Sequence, residues 1–260
     1  RGNGLAISSS IGEAGQNMAE SAVTGAGGGL LAGITGSESI ITNDADSEVR
    51  FGQDSQLISS RLVSGEEVSA ADSMIQATNY ANASNDSNAI AIGAIAIGAH
   101  VTRTTQTGGA LIETGRNGAV DVMGNIDYQA ISDRDTRSVS VAGAGGLGAV
   151  TAGEGTISHN SDAKIIFDNG TNADNGIAMS VTDNLTLTAR NDDSYDGSLD
   201  AGAVAVAGAT GAALRNSGSA DTQIDLGDFA TITAHNMTAT SENNLAKSGL
   251  DENFRFDGGG

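Results

Sequence analysis

Apolar and polar residues alternate along most of this chain, which is the pattern of a β-strand whose two faces meet different surroundings. Val139 and Val141 alternate with Ser140, and Leu185 and Leu187 alternate with threonines. Short clusters of Asn, Asp, Ser and Gly, which favour turns, separate such runs. These clusters lie at residues 43–47, 85–88, 168–176, 190–197 and 215–221. The pattern predicts an all-β protein built from many short strands.

One segment fits two interpretations. Residues 66–79 read EEVSAADSMIQATN, and Val68, Met74 and Ile75 are spaced loosely enough to suit either a helix or a strand followed by a turn. We favour the strand and turn, because a helix face would need a tighter apolar spacing.

The chain also repeats itself. Four tracts rich in glycine and alanine lie at residues 22–33, 89–99, 139–146 and 203–209. Strands that begin with Asp follow three of these tracts, at residues 46–51, 162–167 and 221–226. Strands that begin with Asn lie at residues 125–132, 184–191 and 236–243. A recurring unit of this kind is typical of a solenoid.

The spacing between repeats varies. The Asp-led strands that begin at 162 and 221 have an offset of 59, and the tracts at 139 and 204 have an offset of 65. The Asn-led strands that begin at 125, 184 and 236 have offsets of 59 and 52. Loops therefore change in length while strands are kept, as in solenoids with variable loops on one side. We expect one β-solenoid domain over residues 1–260, with units near residues 22–88, 89–138, 139–203 and 204–250.

Each unit is long enough for several strands, so we expect it to hold two or three coils. Coils of about 20–25 residues would give roughly 10–13 coils and a rod about 50–60 Å long. The repeat is already running at the first residue and still running at the last. We therefore expect the chain to be a segment of a longer repeat protein.

Composition narrows the picture to a thin core. Glycine accounts for 37 of the 260 residues, aromatic residues make up 3%, and the chain has no Pro, Trp or Cys. Val, Ile, Leu and Ala must then fill the interior. The lack of Pro suits a fold in which most strands are central, because Pro removes a donor from the ladder. The lack of Cys excludes disulfides and thiolate metal sites.

The formal net charge is −20, with only 12 Lys and Arg residues, and these are scattered. Nucleic-acid binding needs a basic stripe, so we expect none. Attraction to an anionic membrane is disfavoured for the same reason. Membrane insertion by this segment is not expected either, because the longest apolar candidate, residues 89–99, is shorter than the ~20 residues that a membrane helix needs.

The motifs resemble a known class of protein. A VxVAGAxG strand, a spacer, a D-x-x-[IV]-x-[FL] strand and an [ND]-[LIM]-T-x-[TA] strand are similar to repeats of large secreted Gram-negative exoproteins. These are the filamentous-haemagglutinin-like and leukotoxin-like adhesins, many of them exported by two-partner secretion. The resemblance covers residues 119–250 best. It implies a right-handed parallel β-helix, an extracellular or cell-surface location, and a role in attachment, biofilm matrix or filament formation.

A second resemblance is local. Residues 87–99, SNAIAIGAIAIGA, are similar to the head repeat of trimeric autotransporter adhesins. Such heads repeat the motif many times, whereas this chain has it once. A trimeric autotransporter head is therefore the alternative, and a polysaccharide-processing β-helix enzyme is a second one.

We expect no enzyme. The three His, at residues 100, 159 and 235, share no motif, and the sequence has no nucleophile elbow, phosphate loop or zinc-protease motif. No cofactor is required by a rod of this kind. Expected partners are other copies of the chain, end to end or side by side, and host-surface or matrix ligands.

One segment suggests calcium. In DDSYDGSLD the residues Asp192, Ser194 and Asp196 alternate, a glycine follows, and Asp200 comes three residues after that glycine. This is the first half of a calcium-loop spacing, which aims several oxygens at one point. The acid expected at the twelfth position is missing, since Ala203 stands there. A solvated acidic loop is the competing interpretation.

The alanine-rich tracts suggest a covered face. On residues 139–144 and 204–209 branched side chains occupy one face, and Ala or Gly occupies the other. A solvent-exposed face would normally carry polar residues. We therefore predict a self-association face made of Ala142, Ala144, Ala205, Ala207 and Ala209.

Overall fold

The computed structural model describes residues 5–59, 72–172 and 174–248. This part of the chain holds fifteen strands and no helix. The strands are β1 (Ala6–Ile11), β2 (Asn17–Gly28), β3 (Ala32–Asp44), β4 (Ser47–Phe51), β5 (Gln56–Ile58), β6 (Ser73–Tyr80), β7 (Asn82–Ile92), β8 (Ile95–Thr107), β9 (Gly109–Thr114), β10 (Ala119–Val122), β11 (Ile126–Phe167), β12 (Ala178–Val181), β13 (Asn184–Asp225), β14 (Thr231–Thr233) and β15 (Asn236–Ser248). The all-β prediction is confirmed. Of the ambiguous segment 66–79, residues 73–79 belong to β6, and residues 66–71 lie outside the described residues.

Every strand pairs in parallel with strands one repeat away. The main order is β1-β6-β11-β13-β15, and a second sheet runs β5-β10-β12-β14. Paired residues are 52 to 68 positions apart, as in Ala6 opposite Met74, Ser73 opposite Ile126, Ile126 opposite Leu185 and Asn184 opposite Asn236. The chain therefore forms five stacked layers, at residues 5–59, 72–122, 126–181, 184–233 and 236–248.

This stacking corrects the expected coil. One repeat unit is a single layer, not two or three coils, and the predicted 10–13 coils are five layers with a height of about 24 Å. The reason is the length of the strands: β11 and β13 each hold 42 residues. Alternation predicts that a segment is a strand but not where the strand ends. The sequence pattern therefore suggested several short strands in place of these two long ones.

Each layer folds back on itself as a flat arch. In the third layer β11 runs out from Ile126, bends near Gly146 and returns to Phe167, so each arm is about 65 Å long. The outgoing arm is formed by β1–β2, β6–β7 and the first halves of β11 and β13. The return arm is formed by β3–β4, β8–β9 and the second halves. The arms pack through their side chains, as where the hydroxyls of Ser21 and Ser39 lie 2.7 Å apart.

The interior of the arch changes along its length. Its base is closed by the β5-β10-β12-β14 sheet into a three-sided apolar core that includes Ile75, Ile112 and Leu187. The Tyr128 and Phe167 rings meet edge to face there, with centroids 5.7 Å apart. The middle of the arch buries Ser, Thr, Asn and charged side chains. The tip is filled by a small cluster of alanines.

Register between layers is constant over long stretches. Asp162 lies opposite Asp221 and Asn184 opposite Asn236, which confirms the offsets of 59 and 52 residues. The offset of 65 between the alanine-rich tracts is wrong, because Val204 pairs with Gly145. Strings of Val, Ala and Gly match one another in many alignments, whereas backbone hydrogen bonds hold one offset along the whole strand.

Layer length varies at the base of the arch. Between β9 and β10 the connection is residues 115–118, and between β11 and β12 it is residues 168–177. This difference accounts for the change in offset from 53 to 59 residues. Variable loops are thus found at the base, and the outgoing arm varies as well, because residues 12–16 connect β1 and β2 where Ala81 alone connects β6 and β7.

Polar ladders accompany the backbone register. Asn125 Nδ2 donates to Asp72 at 2.7 Å, Asn184 Nδ2 donates to Asn125 at 2.7 Å, and Asn236 Nδ2 donates to Asn184 at 2.9 Å. A shift of one residue would turn every side chain to the opposite face. Such ladders therefore hold successive layers in register.

The narrow tip predicts that substitutions at two neighbouring residues change the free energy of unfolding by different amounts. A Cβ atom on Gly98 would lie 2.8 Å from the carbonyl oxygen of Gly143, whereas Ala99 points outward and is exposed. We expect Gly98→Val to lower the free energy of unfolding by about 1–3 kcal/mol through overpacking. Ala99→Val should change it by less than about 0.5 kcal/mol. Guanidinium unfolding followed by circular dichroism measures both, and equal effects would contradict the narrow tip.

Candidate functional site

The tip of the arch is free of charge in all four layers that reach it. Residues 22–37, 87–102, 138–153 and 201–214 contain no Asp, Glu, Lys or Arg. The remaining chain therefore carries the whole net charge of −20. Stacking brings these four segments together into one uncharged surface at one end of each layer.

Large apolar side chains stand outward on this tip. Leu30 is 96% exposed, Val204 is 82% exposed and Ile34 is 70% exposed. Others with exposed side chains are Leu31, Ile90, Ile92, Ile95, Ile97, Leu147, Val150 and Val206. Scattered exposed apolar residues are ordinary, but a contiguous set of this size marks an interaction surface.

The outer surface of the return arm is the flattest part of the tip. Its outward residues form a grid of four layers by three columns, which we call the tip face. The columns are Ala32, Ile95, Gly148 and Ala207; Ile34, Ile97, Val150 and Ala209; and Gly36, Ala99, Ala152 and Gly211. A ridge of Ile34, Ile97 and Val150 thus stands between two columns made mostly of Gly and Ala.

The alanines predicted to form a self-association face divide between the two sides of the tip. Ala142 and Ala144 are 2% and 6% exposed, and they face the return arm of the same chain together with Ala205. Ala207 and Ala209 point outward and are exposed. The return arm of the same chain thus covers the face of the outgoing arm that carries the small side chains of Ala142 and Ala144. The branched residues of the last tract, Val204 and Val206, are exposed.

The residues predicted to bind calcium lie on a strand, not in a loop. Asp192, Ser194, Asp196 and Asp200 all belong to β13 and share its outer face. Extended backbone separates Asp192 from Asp196 by about 13 Å, so the convergent loop behind the prediction is not formed here. Within the described residues, no group of three His, Asp or Glu side chains is placed to hold a metal ion. Calcium binding stays a prediction.

These outward residues contact the neighbouring layers instead. Ser194 Oγ donates to Asp135 at 2.7 Å, and Asn244 Nδ2 donates to Asp192 at 2.8 Å. Arg190 Nε lies 2.8 Å from the Asp192 carboxylate. The outer surface of the outgoing arm is therefore acidic, unlike the tip face.

Asp133, one layer away from Asp192, shows the effect of this crowding of acids. Burial, and then the charge of Asp192, raises the pKa of the Asp133 carboxyl. The two residues are register partners, so their like charges are stacked.

A cluster of buried charged groups lies inside the arch, between its third and fourth layers. Arg134 and Asp193 are register partners, 2% and 3% exposed. Ser161 donates a hydrogen bond to the Asp193 carboxylate, and Asn191 Nδ2 donates to Ser161 Oγ at 2.8 Å. His159 Nε2 lies 3.8 Å from Asp193 Oδ2. These side chains come from both arms, so they join the arms as well as the layers.

Burial governs the protonation of this cluster. It lowers the pKa of His159 and of Arg134, and it raises the pKa of Asp193. The charges of Arg134 and Asp193 offset one another in part. Ser161 donates to the carboxylate and not to the imidazole, so the three side chains do not follow the order of a Ser-His-Asp relay. The geometry supports a structural role, with Arg134 Nη1 donating to the Asn160 carbonyl at 3.1 Å and its charge stacked on that of Asp193.

Sequence reasoning missed this cluster although a signal was available. Arg134 has the same parity along its strand as Ile126 and Tyr128, and Asp193 the same parity as Leu185 and Leu187. A charged residue in phase with buried residues points inward. The calcium interpretation drew attention to the other face of the same segment.

His100 is a second buried titratable group, at the inner edge of the tip. Its Nδ1 lies 2.8 Å from Ser37 Oγ and 3.2 Å from Ser87 Oγ. Burial lowers the pKa of His100. The imidazole is therefore neutral at physiological pH, and the tip stays uncharged.

Comparison with protein-family models, with curated proteins and with solved structures found no match to this chain. Across residues 5–59, 72–172 and 174–248, no helix has the length and apolar character that crossing a membrane requires.

The stacked opposite charges of Arg134 and Asp193 predict a rescue by double substitution. Arg134→Met leaves the Asp193 carboxylate buried without the opposite charge beside it, and we expect it to cost about 3–5 kcal/mol of unfolding free energy. The double variant R134M/D193L should recover most of that loss. Arg137→Met is the matched control, because Arg137 lies on the same strand, exposed and opposite Asp196; it should cost about 0–1 kcal/mol. Equal losses for Arg134→Met and Arg137→Met in denaturant unfolding would contradict the buried pair.

Burial of His100 predicts how stability changes with pH. Because its pKa in the folded chain is below its ordinary value of about 6.5, the unfolded chain gains a proton first as the pH falls. Stability is therefore full above about pH 6.5 and declines below it, by at most about 1.4 kcal/mol per pH unit from this group. His100→Gln should make the decline shallower. An unchanged slope in urea unfolding between neutral and mildly acidic pH would contradict this.

Proposed function

We propose that this chain is a segment of an extracellular or cell-surface structural protein of bacteria. It acts as a rigid, non-catalytic, adhesive scaffold, and it serves attachment, biofilm matrix or fibre formation through the packing of solenoids. The observation that carries this proposal is the parallel, in-register stacking of similar layers.

Both ends of the described stack present strand edges without a partner layer. At one end β13 pairs with β11 along nearly its whole length, but β15 covers it only as far as Asp196, opposite Ser248. Within the described residues, 197–225 therefore have one partner strand. At the other end of the described stack, β1 to β5 also pair on one side only. Open parallel edges are templates for further strands.

Length is the property that such a stack supplies. Each added layer of 52 to 68 residues extends it by about 4.8 Å and repeats its outer surface. We further propose that the layers wind as a right-handed parallel β-helix. The support is general: about 98% of crossovers between parallel strands of one sheet are right-handed.

A polysaccharide-processing enzyme is the alternative from another class. It would need clustered acids beside a basic residue in a groove. The surface groove lined by Asp46, Glu48, Asp162 and Lys164 comes nearest to that description. There Lys164 Nζ lies 3.1 Å from Asp162 and 2.9 Å from Asp221. This ion-paired lysine is placed to hold adjacent layers together, which favours the scaffold.

The scaffold predicts end-on assembly that one inward charge stops. Wild-type chains should form filaments with strands perpendicular to the long axis, seen by electron microscopy and by a reflection near about 4.8 Å in fibre diffraction. Ala212→Glu adds an inward charge on the open edge of β13 and should abolish the filaments. Ser217→Glu adds the same charge on the outward face and should not.

Three results would contradict the scaffold. One is a wild-type chain that stays single at every concentration. Another is a compact trimer by mass, which would favour the autotransporter head. The third is release of sugar from an acidic polysaccharide, which would favour the enzyme. Antibody binding to intact producing cells tests the proposed location, and no signal before lysis would exclude it.

A further inference from the structure

The outer surface of the return arm carries no net charge over the part that lies nearest the tip, whereas acids such as Asp44 and Asp162 follow toward the base. Beyond the tip face it continues through three more columns: Glu38, Val101, Glu154 and Ala213; Ile40, Arg103, Thr156 and Arg215; and Thr42, Thr105, Ser158 and Ser217. Two Glu and two Arg among these residues cancel. A surface with no net charge thus lies on a chain of net charge −20.

We propose that this surface, which we call the return face, packs side by side against the return face of a second copy of the chain. The inference deepens the proposed function and rests on it for the idea that copies associate. It adds a lateral contact that uses neither open strand edge. The two chains would be related by a two-fold axis that runs parallel to the strands.

The distribution of charge selects this partner and this axis. Acids occur in the first and third layers, as Glu38 and Glu154, and arginines occur in the second and fourth, as Arg103 and Arg215. The proposed axis reverses the order of layers while keeping the direction of the strands. Glu38 then lies one column, about 7 Å along the strands, from Arg215 of the other copy, and Arg103 lies one column from Glu154, so their long side chains can pair across the interface. Such pairing across an interface gives specificity.

The relief of the tip face is also self-complementary. Because the proposed axis keeps each column opposite itself, Ile95 faces Gly148 and Ile34 faces Ala209. A large side chain thus meets a small one at these positions, as in dry interfaces between paired sheets. Isologous contact of this kind closes at two chains and does not compete with growth at the ends.

The available area is sufficient for a specific dimer. Four layers are about 19 Å tall, and six columns of alternate residues are about 41 Å wide, so the return face covers roughly 780 Å². A standard interface buries about 800 Å² on each partner. The outgoing arm offers a smaller uncharged surface among the described residues, because Asp86 and Asp200 stand on its outer face near the bend.

Cysteine cross-linking tests the partner and the axis together, since the chain contains no native Cys. Under the proposed axis the second layer of one copy faces the third layer of the other, which places Ile97 against Val150. Chains with Ile97→Cys mixed with chains with Val150→Cys should form a disulfide-linked dimer on mild oxidation. Thr24→Cys, on the outer face of the outgoing arm, is the matched control and should not cross-link to Val150→Cys.

A second measurement keeps lateral and end-on association apart. Sedimentation of Ala212→Glu, in which end-on growth is blocked, should show dimers. Adding Ile97→Asp and Val150→Asp to this variant should weaken the dimer by about tenfold or more. Adding Thr156→Asp and Ser158→Asp, the same charges in the polar columns, should weaken it less. Circular dichroism verifies that all three variants keep their β content.

Four outcomes would overturn the proposal. They are a monomeric Ala212→Glu chain at all accessible concentrations, equal effects of the two aspartate pairs, cross-linking through Thr24→Cys in place of Ile97→Cys, and binding of monomers to phosphatidylcholine vesicles without dimer formation. Filaments that persist after the Ile97 and Val150 substitutions in an otherwise wild-type chain would leave the scaffold intact. A wild-type chain that forms dimers but no filaments would overturn the proposed scaffold and leave the lateral dimer intact.

Discussion

Parallel, in-register hydrogen bonding between layers is the constraint on which the rest of this structure depends. It places each residue about 4.8 Å from its counterpart in the next layer. A side chain must therefore be compatible with the residues stacked above and below it, as well as with those across the arch. Buried charge is tolerated where opposite signs stack, as with Arg134 and Asp193. Asparagines stack on asparagines because each amide both donates and accepts.

The arch also tapers, and the taper sorts residues by size. The two arms and the β5-β10-β12-β14 sheet meet at the base, so Tyr128 and Phe167 have room there. Only two arms remain farther out, and they approach closely enough that Gly25 and Gly27 have no space for a Cβ atom. The apolar side chains that the tip cannot hold inside stand on its outer surface. The open tip thus follows from the narrow interior behind it.

The fold class could be read from alternation and from two kinds of repeated strand, because period-two patterning and Asp-led or Asn-led starts are specific signals. The size of a layer could not be predicted from the sequence, because one strand of 42 residues and several short strands show the same alternation of apolar and polar residues. Alternation shows that Ala142 and Ala144 lie on one face, but not that the same chain returns to cover them. Self-association through Ala207 and Ala209, which are exposed, stays a prediction. The buried charges were readable from parity, whereas the partnership of Arg134 with Asp193 required the correct offset between layers, 59 residues.

The long offset between partners also governs how the chain acquires its structure. The shortest offset between stacked partners is 52 residues, so the first contact between layers closes a large loop and is entropically costly. Each later layer closes a loop of similar length, but it docks on an edge that is already ordered. Folding should therefore begin slowly and then propagate from one layer to the next, as in other one-dimensional repeats. A chain that emerges gradually during its synthesis would order itself in the sequence of its layers, each finished layer serving as the template for the next.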